Sequence, residues 1–206
     1  MNKSNKGIKM VSNKREESTK EYVDALQERY SRLCAVRVDL AYKKPYSDHI
    51  TLEEANRDLN RMLNNRRGKP SIFKDQVGYL VKKEYTEEKG VHLHGLFFFD
   101  GQKVQKDKFK ADQIGEHWSE KITQNKGSYH NCNKNEYKDS GVGMIDYRDL
   151  QKRENLDKVV SYLCKDDEKQ DIAPLKSKQK DRAFVRGIIP RKNKSKIGRP
   201  RKESNL

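Results

Sequence analysis

Cysteine is scarce in this sequence, and a long apolar run is missing. Its 206 residues include three cysteines, Cys34, Cys132 and Cys164. Their odd number and wide spacing argue against a disulfide framework and against a Cys-x-x-Cys zinc site. No apolar stretch approaches the roughly 20 residues that span a membrane, and the first residues are polar, unlike a secretory signal. We therefore expect a protein of the reducing cytoplasm, without a membrane partner.

Apolar residues are also few, and the charge is unevenly distributed. They make up 33% of the chain, charged residues make up 37%, and the formal net charge is +15. Residues 174–206 hold twelve Lys or Arg and two acidic residues, and residues 1–20 hold six and two. The stretch between them is therefore almost neutral. Basic, disordered arms of this kind contact the phosphates of DNA or RNA without sequence preference; alternatively, they are solvated tails that keep the protein soluble.

Hydrophobic periodicity predicts alternating helices and strands in one domain. Thr51, followed by Glu54 three residues later, is typical of a helix amino terminus. The short turn of residues 86–90 connects two strands, and residues 124–141 are expected to form a polar loop. No internal repeat is visible. We predict helices at residues 18–32, 51–64, 107–123 and 155–167, and strands at residues 33–42, 77–85, 91–99 and 142–147.

Two histidines in one predicted strand, His92 and His94, give the clearest chemical signal. Side chains alternate along a strand, so both imidazoles lie on one face. If the 86–90 turn closes symmetrically, Glu84 lies opposite His92, and Lys82 lies opposite His94. Two histidines and one carboxylate suit a divalent ion such as Mg²⁺ or Mn²⁺. Two alternatives stay open: a register slip would move Glu84 to the other face, or the histidines are ordinary hydrogen-bonded side chains of a half-buried strand.

A second signal lies on the last predicted helix, where Tyr162 precedes Lys165 by three residues. Side chains three residues apart are neighbours on a helix, and Tyr162 lies off the apolar stripe. Lys165 could stabilise negative charge that develops on a phosphate beside the tyrosine. The alternative is an ordinary Tyr-x-x-Lys pair on an amphipathic helix. The apolar stripe consists of Leu156, Val159, Val160, Leu163 and Cys164.

Together, the histidine pair and the helical tyrosine resemble the HUH endonucleases of rolling-circle replication. The resemblance implies an α+β fold in which helices flank an antiparallel sheet. It also implies that His92 and His94 bind Mg²⁺ or Mn²⁺ against a scissile phosphate. Tyr162 would attack the phosphorus and stay joined to the 5′ phosphate, and Lys165 matches the lysine that follows the nucleophile. Glu84 is the candidate for the acidic ligand.

A closer resemblance is to the YagK/YfjJ C-terminal-domain family of prophages, which is related to the replication proteins of filamentous phages (inoviruses). It rests on a series of short motifs: Val36–Leu40 in the first strand, the His-x-His strand, the Tyr-Leu-x-Lys run, and Asp181–Gly187. Arg37 and Asp39 share a strand face, and we expect them either to support the active site or simply to form an ion pair.

The carboxyl-terminal arm contains a further motif. The run Lys196–Lys202 has a Gly-Arg-Pro core flanked by basic residues and resembles an AT-hook, in which Arg-Pro-Arg lies along the minor groove of A·T-rich DNA. The alternative is a generic basic tail. The candidate DNA-binding residues are Arg182, Arg186, Lys196, Arg199, Arg201 and Lys202.

These motifs combine into one predicted organisation and function. Residues 1–17 form a basic flexible arm, residues 18–187 a nuclease domain, and residues 188–206 a basic tail. We expect a metal-dependent, single-tyrosine DNA nicking and joining enzyme that initiates rolling-circle replication in a bacterial cytoplasm. Its partners would be single-stranded or origin DNA and host replication proteins. A non-catalytic DNA-binding regulator on the same fold and an HUH transposase or relaxase-like enzyme are the alternatives.

Overall fold

The computed structural model describes residues 3–64, 70–165, 172, 175 and 182–190, without the side chains of residues 3–13 and 70. The strands of this part of the chain are β1 (Arg32–Tyr42), β2 (Gln76–Thr86), β3 (Gly90–Asp100), β4 (Gly127–Asn131), β5 (Gly143–Asp146) and β6 (Phe184–Arg186). The helices are α1 (Lys3–Arg29), α2 (Leu52–Asn64), α3 (Pro70–Phe73), α4 (Asp107–Glu116) and α5 (Leu150–Cys164).

The strands form one antiparallel sheet in the order β4-β1-β3-β2-β6. The long strands β1, β3 and β2 make its centre, and β5 pairs with the start of β1 while β4 pairs with its end. Helices cover both faces, so the predicted α+β architecture with an antiparallel sheet flanked by helices is confirmed. None of the helices in the described ranges is both long enough and apolar enough to cross a membrane.

Helices α1 and α5 cover one face of the sheet. Tyr22, Val23 and Leu26 of α1 are buried there against strand residues such as Leu96 and Phe98. The stripe on α5 that the sequence predicted is buried with them, since Leu156, Val160, Leu163 and Cys164 all belong to this cluster. Toward the turn between β2 and β3 the same face of the sheet becomes polar. Because side chains alternate along a strand, the residues on this part of the face are Lys82, Glu84, His92 and His94.

Helices α2 and α4 cover the opposite face. The buried residues of α2 pack with Val36, Val38 and Phe97 of the central strands. The predicted start of α2 is confirmed in atomic detail, since the backbone N–H of Glu54 donates to Oγ1 of Thr51 at 3.2 Å and the backbone N–H of Thr51 donates to Oε2 of Glu54 at 2.9 Å. This reciprocal pair is a capping box. The face opposite the polar cluster is thus a continuous apolar core.

The first helix differs from its prediction. It begins at Lys3 rather than at Ser18, so the segment assigned to a flexible arm is helical from Lys3 onward. The helix continues because its polar residues find partners: Glu16 pairs with Lys20 one turn later and accepts a hydrogen bond from Ser161 of α5 at 2.6 Å. The last residues of the predicted arm therefore pack on the domain.

Other boundaries were also predicted wrongly: α5 begins at Leu150 rather than at residue 155, and β6 was not predicted. The expected polar loop of residues 124–141 contains β4 and a short 3₁₀ turn, Cys132–Lys134, because its polar residues pair with the edge of β1 rather than with solvent. The helix expected at residues 107–123 changes at His117 into a π-helical turn, His117–Ile122, that buries Trp118. The strand positions that carry the histidines agree with the prediction within one residue at each end.

Candidate metal centre

Three strands bring the predicted ligands to one face of the sheet. β2 and β3 pair so that Glu84 is opposite His92 and Lys82 is opposite His94. β1 adds Asp39, which is opposite His94 on the other side. The predicted hairpin register is therefore confirmed. Because directly paired residues share a face and lie roughly 5 Å apart at Cβ, these side chains form a row across the sheet.

Each histidine has one ring nitrogen fixed by an acceptor within the protein. Nδ1 of His92 donates to the carbonyl oxygen of Gly90 at 3.0 Å, and Nδ1 of His94 donates to Oδ1 of Asp39 at 2.8 Å. These bonds turn both Nε2 atoms toward the same carboxylate oxygen, Oε2 of Glu84, at distances of 3.6 Å and 2.9 Å. A metal-binding histidine is usually oriented in this way, because the ring nitrogen that does not bind the metal donates to a fixed acceptor.

The donor set fits a divalent cation. One ligand atom from each of Glu84, His92 and His94 lies within 4.8 Å of the others. Two imidazole nitrogens and a carboxylate oxygen suit Mn²⁺, and Mg²⁺ when further oxygen ligands come from water or phosphate. Nζ of Lys82 contacts the second carboxylate oxygen of Glu84 and balances the charge of this buried acid.

Burial and hydrogen bonding have opposite effects on the pKa values of the cluster. Burial alone would raise the pKa of Glu84, but its contacts with His92, His94 and Lys82 outweigh burial and hold this pKa well below its ordinary value. Burial alone would lower the pKa of His94, but Asp39 and Glu84 raise it to about 9. At neutral pH Glu84 is therefore an anion, and His94 carries a proton that a metal ion has to displace.

Tyr162 lies at the border of this cluster, on the same side of the sheet. Its ring on α5 faces the guanidinium of Arg37, with 5.5 Å between Cζ of Arg37 and the ring centroid. Nε of Arg37 is 3.8 Å from Oδ1 of Asp39, which in turn holds His94. Arg37 and Asp39 therefore form the ion pair that the sequence left open, and their contacts connect the ring of Tyr162 to His94.

Exposure increases along this path. The side chain of Glu84 is 4% exposed, that of His94 14%, and that of Asp39 31%, whereas Tyr162 is 51% exposed. Within the described ranges the hydroxyl of Tyr162 has no hydrogen-bond partner. A phosphate that enters from solvent would therefore meet Tyr162 first and the metal ligands behind it.

Lys165 has a different position from the one predicted. We expected it on the same helix as Tyr162, but α5 ends at Cys164, and Lys165 is an exposed cap residue with extended backbone. The guanidinium of Arg15 caps this end of the helix, since it donates to the carbonyl of Cys164 at 3.2 Å. Lys165 follows Tyr162 closely along the chain but is not stacked against it on the helix surface.

The predicted DNA-binding residues lie at the β6 edge of the sheet or outside the described residues. Arg182 is exposed, and with Arg186 it lines a groove of about 1120 Å³ at the β6 edge of the sheet. Arg186 is engaged within the protein, since its guanidinium donates to Oγ of Ser18 at 2.7 Å and lies over the ring of Tyr22. This groove is larger than any space beside Tyr162, but none of the predicted metal ligands lines it. The tail candidates Lys196, Arg199, Arg201 and Lys202 lie outside the described residues.

Two contacts of the centre were not predicted from the sequence. The ion pair of Lys82 with Glu84 could have been found, because residues two apart on a strand share a face. The hydrogen bond between Asp39 and His94 could not, because it joins residues 55 positions apart and depends on the pairing of β1 with β3. A local pattern contains no such information.

Comparisons with known proteins identify a family but no individual relative. No curated protein and no solved structure matches the chain. The YagK/YfjJ C-terminal domain matches residues 1–184, a range that includes the histidine strand, Tyr162 and the first helix. This agrees with the resemblance carried by the short motifs. The chain belongs to the YagK/YfjJ C-terminal domain family.

Proposed function

We propose that this protein is a metal-dependent DNA nicking and joining enzyme that initiates rolling-circle replication of a phage, prophage or plasmid. The observation that supports this proposal best is the position of Tyr162 beside a two-histidine, one-carboxylate cluster, to which Arg37 and Asp39 connect it. A net charge of +15 favours a polyanionic substrate. Single-stranded DNA is the favoured form, because its phosphates can approach ligands that lie below the surface.

The cluster and its neighbours have separate tasks in this mechanism. Glu84, His92 and His94 would hold Mg²⁺ or Mn²⁺, which acts as a Lewis acid on an oxygen of the scissile phosphate. Asp39 orients the ring of His94 through its hydrogen bond. The burial of Glu84 excludes water from one side of the site and strengthens its electrostatic interactions.

Tyr162 is the proposed nucleophile. Its hydroxyl oxygen forms a bond to phosphorus while the bond between phosphorus and O3′ breaks. The phenol proton passes to solvent, and O3′ takes up a proton to become a hydroxyl. The 5′ phosphate stays joined to Tyr162, and attack by a 3′ hydroxyl reverses the reaction and joins the strand. The exposed Lys165 would stabilise negative charge that develops on the scissile phosphate.

The mechanism predicts a covalent adduct with defined polarity. A single-stranded oligonucleotide from the candidate origin, labelled at its 3′ end, is incubated with the protein and Mn²⁺ and then separated on a denaturing gel. The label should move with the protein, whereas a 5′ label should appear in a shorter free strand. Tyr162→Phe and addition of a chelator should each abolish the shifted band, because they remove the nucleophile and the metal.

A matched control is Tyr46→Phe, which alters an equally exposed tyrosine outside the centre. This variant should keep the full yield of adduct. If the adduct persists in Tyr162→Phe, another residue is the nucleophile. If the wild-type protein binds the oligonucleotide in chelator but forms no adduct with Mn²⁺, the protein is instead a non-catalytic DNA-binding regulator.

A further inference from the structure

A cavity of about 580 Å³ lies directly beside Tyr162. Arg37 of β1 and Val159 of α5 line it together with Tyr162, and Tyr137 and Val142 close it from the opposite side. We call it the Tyr162 cavity. It is large enough for one nucleotide and combines a cation, apolar walls and two aromatic rings. Neither the proposed metal ligands nor the nicking step explains it.

The cavity is located where the sheet is interrupted. On one edge of β1, β5 ends its pairing at Ala35 and β4 begins its pairing at Val38. The connection between β4 and β5 leaves the sheet at this gap and passes in front of α5. Its residues 137–142 line the Tyr162 cavity.

This wall is held in place by close packing. A Cβ atom at Gly141 would lie 2.3 Å from the carbonyl oxygen of Asn155 on α5, so the backbone rests directly on the helix. Val142, the next residue, is buried in the cluster beneath α5. The Tyr162 cavity is therefore part of the folded domain rather than a gap under a loose loop.

The guanidinium of Arg37 supplies the cation of the cavity. Nε of Arg37 is buried and has no hydrogen-bond partner among the described residues. Its nearest acidic atom, Oδ1 of Asp39, is 3.8 Å away, beyond hydrogen-bond distance. Arg37 also lines the cavity with a side chain that is 21% exposed, so the positive charge of its guanidinium is available to a phosphate bound there.

Tyr137 supplies an exposed ring with a fixed orientation. The residue is 59% exposed, and its hydroxyl accepts a hydrogen bond from Nδ2 of Asn135 at 2.8 Å. Asn135 also contacts Nε2 of His130 at 3.2 Å, so the tyrosine is attached to the end of β4. An exposed aromatic ring held by its polar end presents a face on which a nucleic-acid base can stack.

We propose that the Tyr162 cavity binds one nucleotide of single-stranded DNA next to the scissile phosphate, with its base against Tyr137 and its phosphate against Arg37. This inference rests on the proposed function, since it assigns the substrate-positioning site of that reaction. Stacking on an aromatic ring tolerates any base, whereas the apolar walls from Val142 and Val159 limit the size of the base that fits. The site would place the strand so that its next phosphate reaches Tyr162.

The test measures stacking without catalysis. A single-stranded oligothymidylate with one 2-aminopurine, placed at each position in turn, is titrated with the full chain in chelator, so that no nicking occurs. At one position the fluorescence should be quenched on binding. Tyr137→Ala should remove this quenching and weaken binding about tenfold, whereas Tyr137→Phe, which keeps the ring, should retain both. Arg37→Gln should weaken binding and lower its salt dependence by about one phosphate contact.

Matched controls are Tyr46→Ala, which removes an exposed ring elsewhere, and Arg32→Gln, which removes an arginine paired with Asp146. Neither should change the quenching. Equal quenching in wild type and Tyr137→Ala would overturn the inference, even if the wild-type protein forms the covalent adduct. Quenching that depends on Tyr137, in a protein that forms no adduct with Mn²⁺, would keep the nucleotide site and reject the nicking function.

Discussion

The two histidines have different environments although they are adjacent on one strand face. Nδ1 of His92 donates to a neutral backbone carbonyl, whereas the ring of His94 lies between the carboxylates of Asp39 and Glu84. Asp39 and Glu84 therefore raise the pKa of His94 to about 9. Because an imidazole has to lose its proton from the nitrogen that binds a metal ion, His94 should make metal binding depend on pH.

Metal affinity should rise with pH below about 9. A raised pKa means that His94 is protonated at neutral pH, and the metal ion has to displace this proton. Between pH ~6 and ~8 the dissociation constant for Mn²⁺ should fall about tenfold per pH unit, since one proton is released per ion bound. Isothermal titration calorimetry in two buffers of different ionisation enthalpy measures both the affinity and the number of protons released.

Asp39→Asn is the matched variant for this experiment. The amide keeps an oxygen that accepts from Nδ1 of His94 but removes one of the negative charges that raise its pKa. The pH dependence of Mn²⁺ binding should become flatter in this variant. Affinity that does not change with pH in the wild-type protein would show that His94 is not a ligand.

The strand β1 is the element that connects the metal centre to the Tyr162 cavity. Its central residues lack a strand neighbour on one edge, and the side chain of Asn133 takes this place. Oδ1 of Asn133 accepts from the backbone N–H of Arg37 at 2.7 Å, and Nδ2 donates to the carbonyl of Ala35 at 3.0 Å and to Oδ2 of Asp107 at 2.7 Å. The side chain of Asn133 therefore makes the hydrogen bonds to β1 that a neighbouring strand would otherwise make.

Loss of Asn133 should destabilise the protein. Asn133→Ala leaves the N–H of Arg37 and the carbonyl of Ala35 without partners in a buried region, which should lower the free energy of unfolding by about 2 kcal/mol. Urea unfolding followed by circular dichroism measures the change. Asn60→Ala, at an exposed position of α2, is the control and should have little effect. An equal midpoint for both variants would contradict the role assigned to Asn133.

The sequence predicted the hairpin of the metal centre better than its other parts. Glu84, His92 and His94 were placed correctly because a short turn fixes the register of adjacent strands, and alternation then fixes the face. The capping box of α2 was predictable for the same local reason. β4 was missed because its five residues are polar and gain their strand conformation from pairing with β1. The contact that caps α5 comes from Arg15, 149 positions away from its acceptor, so no local pattern predicts it.

The candidate site and most of the positive charge lie in different parts of the sequence. The ligands, Arg37 and Tyr162 lie in the part of the sequence whose net charge is close to zero, whereas the chain ends carry most of the +15. If the centre binds a metal ion and a phosphate as proposed, further positive charge around it would give little benefit, since the added cations would repel the metal ion. If the substrate is DNA, as proposed, the basic chain ends would raise its local concentration at the protein.

Removal of residues 191–206 should therefore change binding but not chemistry. This segment holds seven Lys or Arg and one acidic residue. Each phosphate contact to a single strand contributes roughly 0.7 to the slope of log affinity against log salt, so the truncated protein should lose about 4 from that slope. At saturating oligonucleotide the yield of covalent adduct should stay unchanged, because Tyr162 and the ligands are all retained.

If the segment acts as an AT-hook, the full chain should also prefer an A·T-rich over a G·C-rich duplex, and truncation should remove this preference. An unchanged salt slope would mean that the tail does not contact DNA, and a loss of adduct at saturation would place the tail within the nicking reaction itself.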